Sequence, residues 1–116
     1  MNNFFLNALE QTLSFESVPA SQVVEGEPST GVWEAQPSGE SDWGVWEMTP
    51  GAMSDVEEDE MCVVIKGKGT LERHHNGEVT HLDLVPGVVL RLNEGEHTIW
   101  RISESLRKVY WMPYKN

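Results

Sequence analysis

The sequence predicts an all-β domain of the sandwich or barrel type, and three observations carry that expectation. From Gly31 onward, short apolar segments are separated by Gly, Pro or Asn, at the spacing of about 8 to 12 residues that small β-domains show. No segment beyond Gly31 repeats its apolar residues with a helical period. Finally, Asn76-Gly77 sits between two alternating segments, the pairing that suits a two-residue hairpin because both residues tolerate positive φ.

The elements follow in chain order. Phe4, Phe5, Leu6, Leu9 and Leu13 recur at spacings that suit a short amphipathic helix. From Ser14 to Thr30 the chain is rich in Ser, Glu, Pro and Val, which reads as an irregular arm with an edge strand at Val23-Val24. Strands are then expected at Val32–Gln36, Trp43–Thr49, Met61–Lys66, Gly69–His75, Glu78–Leu84, Val88–Leu92, His97–Ser103 and Lys108–Met112. That number suffices to close a small barrel or jelly roll. The organisation is an N-terminal arm, residues 1–29, followed by a barrel domain, residues 30–116. Gly-Val-Trp-Glu occurs twice, at Gly31–Glu34 and Gly44–Glu47, which marks related strand ends rather than a repeat architecture.

Composition narrows the function. A chain of 116 residues has room for one core. With 8 Lys+Arg against 19 Asp+Glu the formal charge is −11, the wrong sign for nucleic acid or an anionic membrane. The longest apolar run, Met61 to Ile65, is too short to span a bilayer, and no basic residue precedes Phe4-Phe5-Leu6 as a secretory signal requires. A single cysteine makes no internal disulfide. A cytoplasmic location is expected.

An ordered series of residues points to a family. It runs through Trp43-Gly44-Val45-Trp46-Glu47-Met48-Thr49-Pro50-Gly51, Glu58-Asp59-Glu60-Met61-Cys62, Gly67, Pro86-Gly87, Asn93-Glu94-Gly95, Thr98-Ile99-Trp100 and Leu106–Tyr110. The series resembles the small single-domain cupins of the EutQ-like group, which includes relatives of ureidoglycine aminohydrolase. The resemblance covers about residues 30 to 112. It implies a double-stranded β-helix, a cupin jelly roll, with a ligand cavity inside the barrel, and dimers are common among cupins of this size.

Cupins in general hold a divalent metal through two His and a Glu of a first motif and a His of a second. By that resemblance the carboxylate falls on Glu60, with six residues between it and Gly67. The two His positions fall on Ser54 and Val56 or on Met53 and Asp55, and the last on Thr98. Three of the four usual ligands are therefore missing, and no metal or other cofactor is expected.

Parity along the strand around Cys62 puts Glu60, Cys62 and Val64 on one face and Met61, Val63 and Ile65 on the other. Glu60 is then either a solvated member of the run Glu57-Glu58-Asp59-Glu60 or a buried acid needing a partner; alignment to the cupin position favours a pocket-lining carboxylate. Trp100 shares a face with Thr98 and Ile102, and the cupin register turns it inward. The candidate ligand-binding set is Glu60, Cys62, Thr98, Trp100, Trp43 and Trp46. Arg101 faces away from Trp100 by parity, which leaves Arg107 and Lys108 as candidate cations for Glu60 or for a ligand carboxylate. His74 and His75 flank the hairpin turn, and at most one of them can join His81 on a common face; exposed, incidental histidines are the expectation.

The expected function is a cytoplasmic, small-molecule-binding cupin with a metal-free pocket. The alternative is an enzyme on the same scaffold, aminohydrolase-like or EutQ-like, with Glu60 as general acid/base or as the carboxylate ligand of a weakly held metal. The expected partners are a small-molecule ligand and a second copy of the chain. The apolar stripe Met61, Val63 and Ile65 has to be covered by the arm or by that second copy.

Overall fold

The structure is a computed structural model, and it describes residues 5–35 and 43–113. Nine strands form among the described residues: β1 (Ser14–Ser17), β2 (Val23–Glu25), β3 (Ser29–Glu34), β4 (Trp43–Met48), β5 (Gly51–Val56), β6 (Glu60–His75), β7 (Glu78–Leu84), β8 (Val89–Leu92) and β9 (His97–Trp111). All pairings are antiparallel. Two strands run the length of the molecule and are shared by both layers. The second half of β9 lies between β4 and the first half of β6, and this layer continues outward to β3 and β1 on one side and β8 on the other. The first half of β9 lies between β5 and the second half of β6, and this layer ends in β2 and β7. The curled sheet is the β-barrel jelly roll expected from the sequence.

The layers close over one core. Met48, Leu90, Leu92, Leu106 and Tyr110 come from the first layer, and Met53, Leu71, Leu84, Trp100 and Ile102 from the second. Both long strands bend where β6 slips register against β9 between Val64 and Gly69. Gly67 makes the bend possible. Its φ is +94°, and a Cβ there would stand 2.1 Å from the Ser105 carbonyl oxygen and 2.5 Å from Leu106 Cα, a backbone collision that no side chain can relieve. The hairpin between β6 and β7 turns at Asn76 and Gly77, with φ of 51° and 79°, as the Asn-Gly signal predicts.

Three sequence expectations need correction. Residues 5–13 do not form a helix. Among them only one turn forms, at 8–10, closed by Asn7, whose Oδ1 accepts from Leu9 N at 2.9 Å. Phe5 and Leu9 stay exposed, so there is no apolar face to repay helix nucleation; Phe4 lies outside the described residues, as does Gln36, the expected end of β3. The strand at Gly51–Val56 escaped prediction because Gly-Ala-Met-Ser-Asp has little β-propensity, and pairing with β9 and β2 imposes it. Met61–Lys66 and Gly69–His75 are one bent strand, and the expected His97–Ser103 and Lys108–Met112 are likewise one strand, ending at Trp111. The N-terminal residues also do more than flank the barrel, since β1 and β2 extend opposite layers through β3 and β5.

Candidate functional site

The concave face of the first layer bears an open cleft of about 420 Å³. Glu60, Trp46, Lys108 and Tyr110 line its depth, and Ser14, Glu16, Thr30 and Glu34 of β1 and β3 line its wall. Register explains the assembly: Lys108 on β9 stands between Trp46 on β4 and Val64 on β6. Side chains of neighbouring strands at the same register point the same way.

Lys108 is 5% exposed. Its ammonium donates to Glu60 Oε2 at 2.7 Å and lies 4.6 Å from the ring centroid of Trp46 and 4.6 Å from that of Trp100. The two indoles pack 5.4 Å apart, centroid to centroid. Burial works against the charged ammonium, but the carboxylates of Glu60 and Glu57 favour it, and its pKa is raised above the ordinary lysine value. Glu60 therefore does line the cleft, and its partner is Lys108. Arg107, the other candidate, points through the opposite face of β9.

Glu57 is the site residue that sequence reasoning missed. It was expected in a solvated acidic run, yet it is only 7% exposed. Thr98 Oγ1 donates to its Oε2 at 2.6 Å and Trp100 Nε1 donates to the same oxygen at 3.0 Å. The other oxygen, Oε1, takes no protein donor, and every buried side-chain nitrogen or oxygen among the described residues has a partner. Oε1 is therefore open to solvent. The backbone fixes Glu57 by exchange with the turn before β9: Glu57 N donates to Glu96 O at 2.9 Å and Gly95 N to Glu57 O at 2.8 Å. Burial raises the Glu57 pKa, against the hydrogen bond from Thr98. Burial also raises that of Asp55, the register partner of Thr98.

The acidic run thus divides residue by residue. Glu57 turns in, Glu58 is exposed, Asp59 accepts from Glu94 N at 3.0 Å, and Glu60 binds Lys108. At the same end of the barrel Arg73 chelates the buried Glu96, with Nη2 2.8 Å from Oε1, and this holds the Glu96 carboxyl below its ordinary pKa.

The remaining candidates separate. Trp46 lines the cleft with Glu60, whereas Trp100 packs behind the Lys108 ammonium and, with Thr98, holds Glu57 beneath the cleft rather than in its lining. Cys62 is fully buried behind Glu60, and burial pushes its thiol up to about 11, which leaves it protonated and inert. Trp43 lies on the opposite face of β4 from Trp46 and packs edge-on against Trp33, with centroids 5.5 Å apart. Outside the cleft, His74 Nε2 and His81 Nε2 approach Glu72 at 2.6 Å and 3.5 Å, the single shared face that strand parity allows.

The cupin metal positions do not fit a metal. Glu60 is engaged by an ammonium, Thr98 donates its hydroxyl to Glu57, Met53 belongs to the core, and Val56 is exposed. Among the described residues no three His, Cys, Asp or Glu side chains converge, and a first-row site normally takes at least three protein ligands. No helix among the described residues is long and apolar enough to cross a membrane.

A bent two-layer barrel with a polar cleft on one concave face defines the cupin class. The chain belongs to the EutQ-like cupin domain family, which matches residues 35–110. Solved structures agree in fold. The chain is similar to the Clostridium difficile EutQ protein, with a TM-score of 0.61, 18% identity, and coverage of 75% of this chain and 69% of that one. A protein of unknown function from Pseudomonas syringae gives a TM-score of 0.70 at 22% identity, covering 91% of this chain and 46% of that one, so the present chain spans less than half of it. A domain of unknown function from Vibrio parahaemolyticus gives 0.56 at 16% identity, with coverage of 87% and 98%. No curated protein matches the sequence.

Proposed function

We propose that this cupin binds a small molecule in the cleft of its first layer, without a metal, using the Glu60–Lys108 pair as polar anchor and Trp46 as aromatic wall, with Trp100 packed behind the Lys108 ammonium. One observation carries the reading: a nearly sealed ammonium, bracketed by two indoles and a carboxylate, forms the floor of an open cleft. Polar groups fixed by burial, beside an aromatic surface, orient a ligand. The protein is a cytoplasmic homodimer in this reading, paired through the outer face of the first layer, where Val89 is 57% and Trp111 37% exposed beside Met61 and Val63. Native mass spectrometry tests the binding. The expected result is an organic occupant on the wild-type chain that is lost from Lys108→Met. A chain that carries none, and whose tryptophan fluorescence no member of a metabolite library perturbs, overturns the reading.

A second reading, catalysis, rests on Glu57. A carboxyl with raised pKa, one oxygen held by two donors and the other open, is built as a proton donor or acceptor. That role passes to Glu57 because Glu60 is tied to Lys108.

A further inference from the structure

We propose that the cleft takes a small organic cation, a protonated amine or amidinium carrying an apolar group, in preference to an anion or a metal ion. The proposal rests on the cleft being the ligand site and concerns the charge of its occupant. Three carboxylates face the cleft, Glu16 from β1, Glu34 from β3 and Glu60 from β6, against one cation, Lys108. Lys108 is already neutralised by Glu60 at 2.7 Å. Glu16 and Glu34 are exposed and make no ion pair or side-chain hydrogen bond among the described residues, so their charge is uncompensated. An anionic ligand would enter a field of its own sign, while an ammonium would enter one that attracts it.

Trp46 and Tyr110 line the same cleft, aromatic residues against which an apolar body packs. The Lys108 ammonium already occupies the space beside the Trp46 and Trp100 rings, so the charged end of the ligand lies toward Glu16 and Glu34. A metal ion is disfavoured by geometry, since the carboxylates come from separate strands and no three converge among the described residues.

The test uses the full chain and three probes of similar shape: phenethylammonium, neutral 2-phenylethanol and anionic 3-phenylpropanoate. Titration calorimetry measures affinity, and the Trp46 indole resonance reports the place of binding. The expected result is binding of the ammonium at Trp46, with the alcohol about tenfold weaker or more and the carboxylate undetected. Changing Glu16→Gln together with Glu34→Gln should weaken the ammonium about five- to tenfold, as expected for losing two partly screened charges, and leave the alcohol unchanged. Both residues are exposed, so the variant folds. If the carboxylate or the alcohol binds at Trp46 as tightly as the ammonium, or if magnesium, calcium or manganese displaces the ammonium, the cation is wrong and the cleft stands. If none of the three probes moves the Trp46 resonance, both fall together.

Discussion

Trp100 and Thr98, two residues apart on β9, donate to the same oxygen of Glu57. That convergence draws a carboxyl from a surface acidic run into the barrel and leaves its second oxygen without a protein donor. It ties one side of the indole wall to an acid, while the indole's face carries the Lys108 ammonium.

The Glu57 carboxyl should make stability fall as pH rises. Its folded pKa lies above the ordinary 4.5, so between 4.5 and the folded value the native state binds more protons than the unfolded chain. Stability is therefore highest below 4.5 and declines until the folded pKa is passed. Glu57→Gln keeps an oxygen for Thr98 and Trp100 but removes the charge. Its denaturant midpoint at pH 7 should equal or exceed that of the wild type, with the decline diminished in a pH series; Glu58→Gln is the control.

Breaking the Lys108–Glu60 pair from either side should be costly. Glu60→Gln leaves a nearly sealed ammonium without its carboxylate, and Lys108→Met leaves the carboxylate without its ammonium. A loss of about 3 to 5 kcal/mol is expected for each in chemical denaturation. The double variant Glu60→Gln with Lys108→Met should lose much less than the sum, and the coupling measures the pair.

Added manganese, zinc, iron or nickel should leave the unfolding temperature unchanged, because the ligand positions are occupied by Ser54 and Val56 or by Met53 and Asp55, by Thr98 and by a paired Glu60, and no three ligating side chains converge among the described residues. Elemental analysis after mild dialysis should find less than one metal per chain. About one per chain, lost with Glu60→Ala, contradicts the structure of the site.

Light scattering should give twice the chain mass at micromolar concentration if the outer face of the first layer pairs two copies, as proposed. Val89→Asp and Trp111→Ser place polar groups on that face without touching the core, and together they should yield a monomer. A dimer that survives both changes pairs elsewhere.

Arg107 should govern the N-terminal segment. It is 7% exposed, donates to Glu47 Oε1 at 2.6 Å, and through Nη1 to the carbonyls of Ala8 at 2.8 Å and Gln11 at 2.9 Å. Arg107→Ala leaves Glu47 buried without its cation and should cost about 3 to 5 kcal/mol. Cleavage near residues 8–11 should also accelerate in limited proteolysis, at temperatures where the barrel is intact.

The sequence makes the barrel legible because alternation and turn residues are local signals. Cys62 and Trp100 face inward as parity requires, and the Asn76-Gly77 turn needs no tertiary information. Lys108 was within reach of the same argument. Thr98, Trp100, Ile102, Leu106, Lys108 and Tyr110 keep one parity, so treating β9 as unbroken selects Lys108 over Arg107. The missing signal for continuity is the Gly67 bend, which depends on a contact with Ser105. Glu57 was not legible. Its inward turn depends on backbone bonds to Gly95 and Glu96, and nothing in four successive acids distinguishes the one those bonds capture.

The dependence of both layers on β9 has a consequence for synthesis. β4 and β5 leave the ribosome with only β3 and β2 as neighbours, and β6 with β7 and β8, because the strand that joins these groups comes last, at His97–Trp111. Until it emerges, the nascent chain is three separate strand groups whose apolar faces have no opposing layer. Pairings this distant along the chain close slowly, and unpaired edges in the interval invite association with other chains. The strong negative charge of the chain, −11, opposes that association during the wait by mutual repulsion.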